Sequence, residues 1–430
     1  MQNARATFVL AMLVISSTLS AAQLAGARFS SLPIEAQTSI SSALLREVPG
    51  LSWTQLAKLS SSDGQPFDQF GFAVAVSGNT VVIGVNSYSH SAAYVFVKPS
   101  SGWANMTQTA ELAASDGGNG DFFGYAVTIS AETVVVAAPG AAINSGRGAA
   151  YVFVEPRGGW RNMTETAKLS ASGSQGVFEL ALSGNTLVIS SANNGGHSYV
   201  FVKPRRGWKS KTQADATLTN PFYGSGFCGF CVGVSGNTIA VGVPANFGSQ
   251  GTVYVFTKPT GGWHGDLNPT ATLVASGGSF NNQLGISVAV SGDTVVAGAN
   301  GQGFYRGALY VFVKPSGGWK DMLQTAELRA PNTLDLGWSV AISGNTIVGG
   351  AFLTTVGTNQ YQGAAYVYVK PKGGWKTTRK FDAELAASDG MPNDQFGTSV
   401  AISGSTVVAG AAFATIGSNV GQGAAYVFGR

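Results

Sequence analysis

Pairs of aspartates recur in this sequence and are the residues best suited to hold a metal ion. The stretches SDGQPFDQFG, SDGGNGDFFG and SDGMPNDQFG each carry two carboxylates. Carboxylate oxygens suit Ca²⁺, but that ion takes six to eight oxygen ligands. Asp-Gly also shapes turns, and a following Asp caps backbone N–H groups. We therefore expect turns and no cofactor, with calcium left as the weaker alternative at Asp63, Asp68, Asp116, Asp121, Asp389 and Asp394.

Two cysteines, Cys228 and Cys231, form a C-x-x-C pair, a spacing found in redox and metal sites. Both stand at positions that other copies of an internal repeat fill with Phe or Ala. One such pair supplies only half of a four-ligand zinc site. We therefore expect packing or a local disulfide at this pair, with redox chemistry as the alternative.

Catalytic patterns find little support in the chain. It has 3 His and shows no nucleophile elbow, P-loop or zinc-protease motif. The paired aspartates recur with the repeat, so they do not form one asymmetric acid–base constellation. Charged residues are 11% of the chain and the formal net charge is +4, which argues against nucleic-acid binding. We expect a protein that is not an enzyme.

A repeated unit accounts for nearly all of the sequence after about residue 51. The tetrad SGNT and its variants occur seven times, each followed by a block such as AAYVFVKP, and in all but the last unit a Gly-Trp pair and TAEL or a variant come next. Alternation of large and small residues in FGFAVAV predicts a strand, and SGNT predicts a tight hairpin turn. The unit therefore reads as four short antiparallel strands. The tryptophans stand at one fixed register, which favours packing over a sugar-binding ring.

Seven such units predict an all-β, seven-bladed β-propeller of four-stranded antiparallel blades. The last unit stops at Arg430, directly after its third strand. The missing fourth strand has a counterpart near the N-terminus, because SWTQLAKLSSSDG matches the GWRNMTETAKLSASG of another unit. We therefore predict that the N-terminal segment supplies the outer strand of the last blade and closes the ring.

The N-terminal region divides into two segments before the propeller. Residues 1–27 combine Arg5, an apolar run and small residues, the pattern of a cleavable signal peptide. Residues 28–50 read as a linker with a short helix, and residues 51–430 as the propeller. We expect a secreted or surface-exposed protein, or a periplasmic one, which has no membrane span and is a monomer.

The opening Phe-Gly and the closing Gly-Ala or Ala-Pro of the units resemble FG-GAP repeats, found in integrin α-subunits and in many exported bacterial proteins. Phe70-Gly71, Phe123-Gly124 and Phe396-Gly397 match the opening motif. In the integrin version, an Asp-rich calcium loop lies between the first two strands. Here that place holds only Ser77-Gly78-Asn79-Thr80 or its equivalent, so the resemblance implies the propeller fold without the calcium loop.

Strand alternation places the tetrads and the KPxxGW turns on one face of the disc. The connections between the second and third strands, and the loops that lead into each blade, lie on the opposite face, which we call the variable face. Variable loops on a rigid scaffold are where ligand sites usually lie. The candidate ligand residues on this face are Tyr88, His90, Arg147, His197, Phe222, Tyr223, Phe247, Phe304, Tyr305, Arg306 and Tyr361.

Aromatic side chains with a few polar neighbours suit carbohydrate or protein contacts. We therefore predict a secreted, non-enzymatic propeller that binds an extracellular protein or glycan. Two alternatives stay open: an exported carbohydrate-active hydrolase or lyase that works from the variable face, and a structural surface protein.

Overall fold

A computed structural model describes residues 52–143, 146–171, 176–191, 197–221 and 231–430. The predicted signal peptide, the linker helix, Cys228, Phe222 and Tyr223 lie outside these residues. Residues 55–429 form one compact unit. The described ends, residues 52–54 and residue 430, belong to a second unit, in which the Arg430 guanidinium lies 5.4 Å from the centre of the Trp53 ring.

Strands dominate the described chain. Through the third repeat they are β1 (Thr54–Leu59), β2 (Ala73–Ser77), β3 (Thr80–Gly84), β4 (Ala93–Val97), β5 (Ala110–Ala113), β6 (Val127–Ser130), β7 (Thr133–Ile143), β8 (Gly146–Val154), β9 (Met163–Thr164), β10 (Ala167–Leu169), β11 (Leu180–Ser183), β12 (Thr186–Ser190), β13 (Ser198–Val202) and β14 (Ala216–Leu218).

The remaining repeats contribute strands and two four-residue helical turns. These elements are β15 (Cys231–Ser235), β16 (Thr238–Val243), α1 (Asn246–Ser249), β17 (Thr252–Thr257), β18 (Gly265–Leu267), β19 (Ala271–Val274), β20 (Val288–Ser291), β21 (Thr294–Ala299), α2 (Gln302–Tyr305), β22 (Ala308–Val313), β23 (Met322–Leu323), β24 (Ala326–Leu328), β25 (Ser339–Ser343), β26 (Thr346–Ala351), β27 (Ala364–Val369), β28 (Ala383–Leu385), β29 (Phe396–Ser403), β30 (Thr406–Ala411) and β31 (Ala424–Gly429).

Seven sheets form the ring, one per repeat, and we number the blades along the chain. The first blade has the order β2-β3-β4-β5, with antiparallel neighbours throughout these four strands. The seventh has the order β1-β31-β30-β29. The N-terminal strand therefore supplies the outer strand of the last blade, which confirms the predicted closure of the ring.

Three blades carry a fifth, parallel strand that the sequence did not predict. In blade 1, β9 lies outside β5, with Met163 opposite Leu112. The other two cases are β18 beside β14 and β23 beside β19. Each added strand comes from the segment after the next blade's Gly-Trp pair, so it covers a sheet edge that would otherwise be open to pairing with another chain.

The tetrad serines join neighbouring blades. The backbone N–H of Gly344 in blade 6 donates to Oγ of Ser291 in blade 5 at 3.1 Å. The N–H of Gly78 in blade 1 donates in the same way to Ser403 in blade 7, also at 3.1 Å. The remaining tetrads form the same bond from blade to blade. The repeated tetrad is therefore part of a closed circle of hydrogen bonds.

The Phe-Gly motif fixes the contact between blades. Phe70 is fully buried, and its ring lies 5.7 Å from that of Tyr94. Gly71 has φ +91°, and a Cβ there would lie 2.5 Å from the carbonyl oxygen of Ala424 in blade 7. Gly is therefore required by both backbone conformation and close approach. The predicted first strand was too long in blade 1, since β2 begins only at Ala73.

The repeat tryptophans fill the space between blades, as the fixed register predicts. Trp160 is 6% exposed and packs in one cluster with Val82 and Val95 of blade 1 and with Val134 of its own blade. The equivalent residues of the other blades, which are buried to a similar extent, are Trp103, Trp208, Trp263, Trp319 and Trp375.

Candidate functional site

The loops separate onto two faces, as strand alternation predicts. On the tetrad face, the N–H of Lys98 donates to the carbonyl of Asn79 at 2.8 Å. On the variable face, the N–H of Gly120, in the loop leading into blade 2, donates to the carbonyl of Tyr88 at 2.8 Å. The same contact recurs between Arg147 and Gly176, Tyr305 and Asp335, and Tyr361 and Gln395.

Exposed apolar side chains concentrate on the variable face. Phe304 is 97% exposed, and Phe67 and Tyr88 are 66% and 65% exposed. Among the large apolar side chains that are exposed in the described chain, only Leu56 and Leu323 lie elsewhere, on outer strands. The others on the variable face are Phe280, Tyr305, Leu334, Trp338, Met391, Phe413 and Val420.

Three of these aromatic residues have left-handed backbone. Phe67, Phe304 and Tyr305 have φ of +64°, +60° and +64°, a conformation that costs an L-residue roughly 1–2 kcal/mol. At the position of Phe67, blade 2 has Gly120 and blade 7 has Asn393, which adopt this conformation more easily. Neither burial nor backbone preference explains these exposed aromatic side chains.

A cavity of about 610 Å³ lies at the centre of the ring, toward the variable face. Its wall is formed by the residues that begin each inner strand, and aromatic rings line one side of it. The rings of Phe72 and Tyr125 are 5.2 Å apart, and those of Tyr125 and Phe178 are 5.9 Å apart. Trp338 of blade 6 borders the same cavity.

Glu179 is the one charged side chain among the described residues that line this cavity. Burial raises its pKa to about 7, and a hydrogen bond from the N–H of Leu180 lowers it only in part. The side chain keeps partial contact with solvent because it borders the cavity. Its charge acts on Tyr125 and Cys231, whose pKa values are raised first by burial and then by Glu179.

Glu179 occupies a repeat position that is polar in several blades. Three other blades have a serine here, and each donates a hydrogen bond to a glycine carbonyl of the next blade. The pairs are Ser287 with Gly337, Ser339 with Gly397, and Ser399 with Gly71. Cys231 makes a similar contact, from Sγ to the carbonyl of Ile286 at 2.5 Å.

A second group of titratable side chains lies in blade 1. Nδ1 of His90 is 2.6 Å from a carboxylate oxygen of Asp68, and Nε2 is 3.4 Å from Asp63. The hydroxyl of Tyr94 donates to Asp63 at 2.9 Å. Burial alone would lower the pKa of His90, but the hydrogen bond to Asp68 and the charges of Asp68 and Asp63 outweigh it and raise the pKa.

The first Asp of each other pair is held by a tyrosine and a lysine of its own blade. Asp116 accepts from Tyr151 at 2.9 Å and is paired with Lys168. Asp389 is paired with Lys58 at 2.6 Å and bonded to Tyr426. These contacts outweigh burial and lower the pKa of both carboxyls.

The second Asp of each pair caps the turn, as expected from the sequence. Asp68 accepts from the N–H of Gln65 at 2.6 Å, and Asp121 and Asp394 accept equivalent bonds at 2.8 Å. Within the described residues, no group of three or more His, Cys, Asp or Glu side chains has the geometry to hold a metal ion.

The remaining predicted ligand residues are spread around the variable face. Arg147 and Arg306 are exposed, and Tyr361 is half-buried. His197 is half-buried, and its ring centre lies 6.4 Å from that of Tyr199. Phe247 falls in α1, but its side chain is outside the description. The structure therefore brings together His90 and the Asp63–Asp68 pair, and leaves the other candidates in separate loops.

Reasoning from the sequence missed the cavity residues Phe72, Tyr125, Phe178, Glu179 and Trp338. A signal was present, because the four aromatic residues share one register position, which directly follows Phe-Gly in blades 1 and 2. Alternation predicts a strand at this position, but it does not indicate which end of an inner strand borders an open channel.

Comparison with known proteins identifies a repeat family. The FG-GAP repeat model matches residues 53–96, 106–153, 268–312, 334–368 and 380–428. No curated protein sequence matches the chain. A crystal structure of the computationally designed Ika8 protein is similar with a TM-score of 0.48 and 14% identity, over 87% of this chain and 99% of that one. In the described part of the chain, no helix is long and apolar enough to cross a membrane.

Proposed function

Because the chain belongs to the FG-GAP repeat family, whose propeller fold suggests a ligand-binding protein, we propose that it is a non-enzymatic recognition protein. Its ligand is an extracellular protein or glycan, bound on the variable face. The location outside the cell is a prediction from residues 1–27, and a monomer is the expected state.

The exposed aromatic residues with left-handed backbone carry this proposal. Phe304 is 97% exposed at φ +60°, so its ring adds almost nothing to the core while its backbone costs roughly 1–2 kcal/mol. Aromatic residues are enriched at protein interfaces. A surface that retains such residues on one face is best explained by contact with another molecule.

The test is a screen of the purified protein on glycan and matrix-protein arrays, run beside a polysaccharide depolymerisation assay. We expect saturable binding to one ligand class without turnover. Turnover without a stable binder would overturn the proposal. Absence of both would favour a structural surface protein.

A hydrolase or lyase is the second candidate, and Glu179 favours it. A carboxyl with a pKa of about 7 at a cavity with a volume of about 610 Å³ suits general acid catalysis on a small ligand. The Glu179→Gln variant decides this alternative, because it should abolish any depolymerising activity if Glu179 is the acid. Glu132→Gln, on the tetrad face, is the matched control.

A further inference from the structure

We propose that blade 1 has a binding site for a primary ammonium group, the side chain of a partner protein's lysine, between Asp63, Glu111 and the ring of Tyr94. This site deepens the proposed function by giving one part of the variable face a defined chemistry. Its use by a partner rests on that function, whereas ammonium binding by the site does not.

Two other blades already hold an ammonium group at the equivalent place. In blade 2, Nζ of Lys168 pairs with Asp116 and lies 5.0 Å from the centre of the Tyr151 ring. In blade 7, Nζ of Lys58 pairs with Asp389 at 2.6 Å and lies 5.6 Å from the Tyr426 ring. The tyrosine hydroxyl bonds the same aspartate in both blades. The loop aspartate and the tyrosine ring thus form an ammonium site twice in this chain.

Blade 1 keeps the aspartate and the tyrosine but lacks the lysine. The Tyr94 hydroxyl donates to Asp63 at 2.9 Å, as Tyr151 does to Asp116. Lys168 lies opposite Tyr151 in the strand register, and Glu111 lies opposite Tyr94. The lysine is therefore replaced by a second carboxylate at the same register position, and the basic group beside Asp63 in blade 1 is His90, whose Nε2 lies 3.4 Å from Asp63 and 3.4 Å from the Tyr94 hydroxyl.

The charges of blade 1 favour an external cation, because the carboxylates of Asp63, Asp68 and Glu111 face one basic group, His90. Burial raises the pKa of Glu111, the charge of Asp63 raises it further, and His90 is the one basic group that opposes this. Asp63, Asp68 and Glu111 also act together on Tyr94, raising its pKa well above the usual range after burial, the largest cause. An ammonium between Asp63 and Glu111 would relieve their repulsion and contact the tyrosine ring.

The site is open to a side chain from outside. The Asp63 side chain is 41% exposed and that of His90 is 26% exposed, and Glu111 is half-buried. The loops that carry Asp63 and His90 also carry the exposed rings of Phe67 and Tyr88. A lysine is favoured over other amines because lysine occupies both equivalent sites in the chain.

The test is an NMR titration of the full chain with imidazole-labelled histidine. The probe is Nα-acetyl-lysine methylamide, and its Nε-acetylated form is the neutral control. His90 should shift saturably with the probe, with a dissociation constant on the order of millimolar for so small a ligand. His264, exposed on the tetrad face, should not shift.

Variants locate the site. Glu111→Lys should rebuild the arrangement of blade 2 and weaken probe binding at least tenfold, and Glu111→Gln should weaken it several-fold while adding no internal cation. Glu384→Lys is the matched control, because it makes the same change on the outer strand of blade 6, whose loop has no Asp-Gly pair, and should bind as the parent does.

Three results would overturn the proposal: no saturable shift of His90, equal shifts with the neutral probe, or unchanged binding in both Glu111 variants. Glucosamine binding more tightly than the lysine probe would overturn the assignment to lysine. If the probe binds saturably but the arrays identify no ligand, the ammonium site is supported and only the proposed function is contradicted.

Discussion

Replacing Glu179 by Gln should stabilise the protein in a pH-dependent way. The carboxyl has a pKa of about 7 in the folded state, raised by burial from its ordinary value of 4.5. Because the folded pKa is raised, the folded state binds more protons between these values, and stability falls as pH rises through that window. Below it the carboxyl is protonated in both states, and above it the folded state bears the full cost of a buried charge.

The magnitude follows from the shift. The difference between 4.5 and about 7 corresponds to about 3 kcal/mol at 1.36 kcal/mol per pKa unit, an upper limit because the side chain borders a cavity. Gln cannot ionise, so the variant should gain about 3 kcal/mol over the parent at pH 8, but only about 1 kcal/mol at pH 5.

Urea unfolding of parent and variant at both pH values measures this gain, and taking the difference between the two proteins cancels the other titrating groups. Glu155→Gln, at an external turn, is the matched control and should change stability by less than about 0.5 kcal/mol at either pH. An equal gain at both pH values, or a loss at pH 8, would refute the argument that burial raises the pKa of Glu179.

Three further predictions concern the ring and calcium. Deleting residues up to Leu59 removes β1 and the buried side chains of Ala57 and Leu59, so the melting temperature should fall by several degrees; an unchanged melting curve would contradict the closure of the ring. Ser291→Ala removes the acceptor for the Gly344 N–H and should cost about 0.5–1 kcal/mol in unfolding free energy, while Ser62→Ala should cost less. The melting temperature should be nearly the same in EDTA and in millimolar calcium, because no cluster of the described residues has the geometry to hold a metal ion. A filled site would add about 2.7 kcal/mol to the unfolding free energy at a hundredfold excess of calcium over its Kd, so a large calcium-dependent rise would show a site that the aspartate contacts do not reveal.

The fold was predictable because each level of the sequence favours the same answer. The tetrads give the turns, the alternating residues give the strands, and the unmatched segment before Leu59 gives the outer strand of the last blade. The parallel fifth strands were not predictable, because two-residue pairings such as β9 with β5 depend on how closely neighbouring blades approach.

The site was predictable in part. The loops of the variable face were identified from variability within the repeat, and Phe304 and Tyr88 are exposed there. The cavity and Glu179 were missed because the same alternation describes a strand packed between blades and one that borders a channel. The contact of His90 with Asp68 was also hidden, since it joins two loops that are distant along the sequence.

The central claim, that the variable face recognises the ligand, is tested most directly with one pair of matched double variants. Phe67→Ser with Phe304→Ser removes two exposed rings from that face, and Leu56→Ser with Leu323→Ser removes two exposed side chains from the outer strands. Affinity for the ligand found on the arrays is then measured by surface plasmon resonance. We predict at least a tenfold loss for the first pair and no change for the second; equal losses, or a loss confined to the second pair, would contradict the claim.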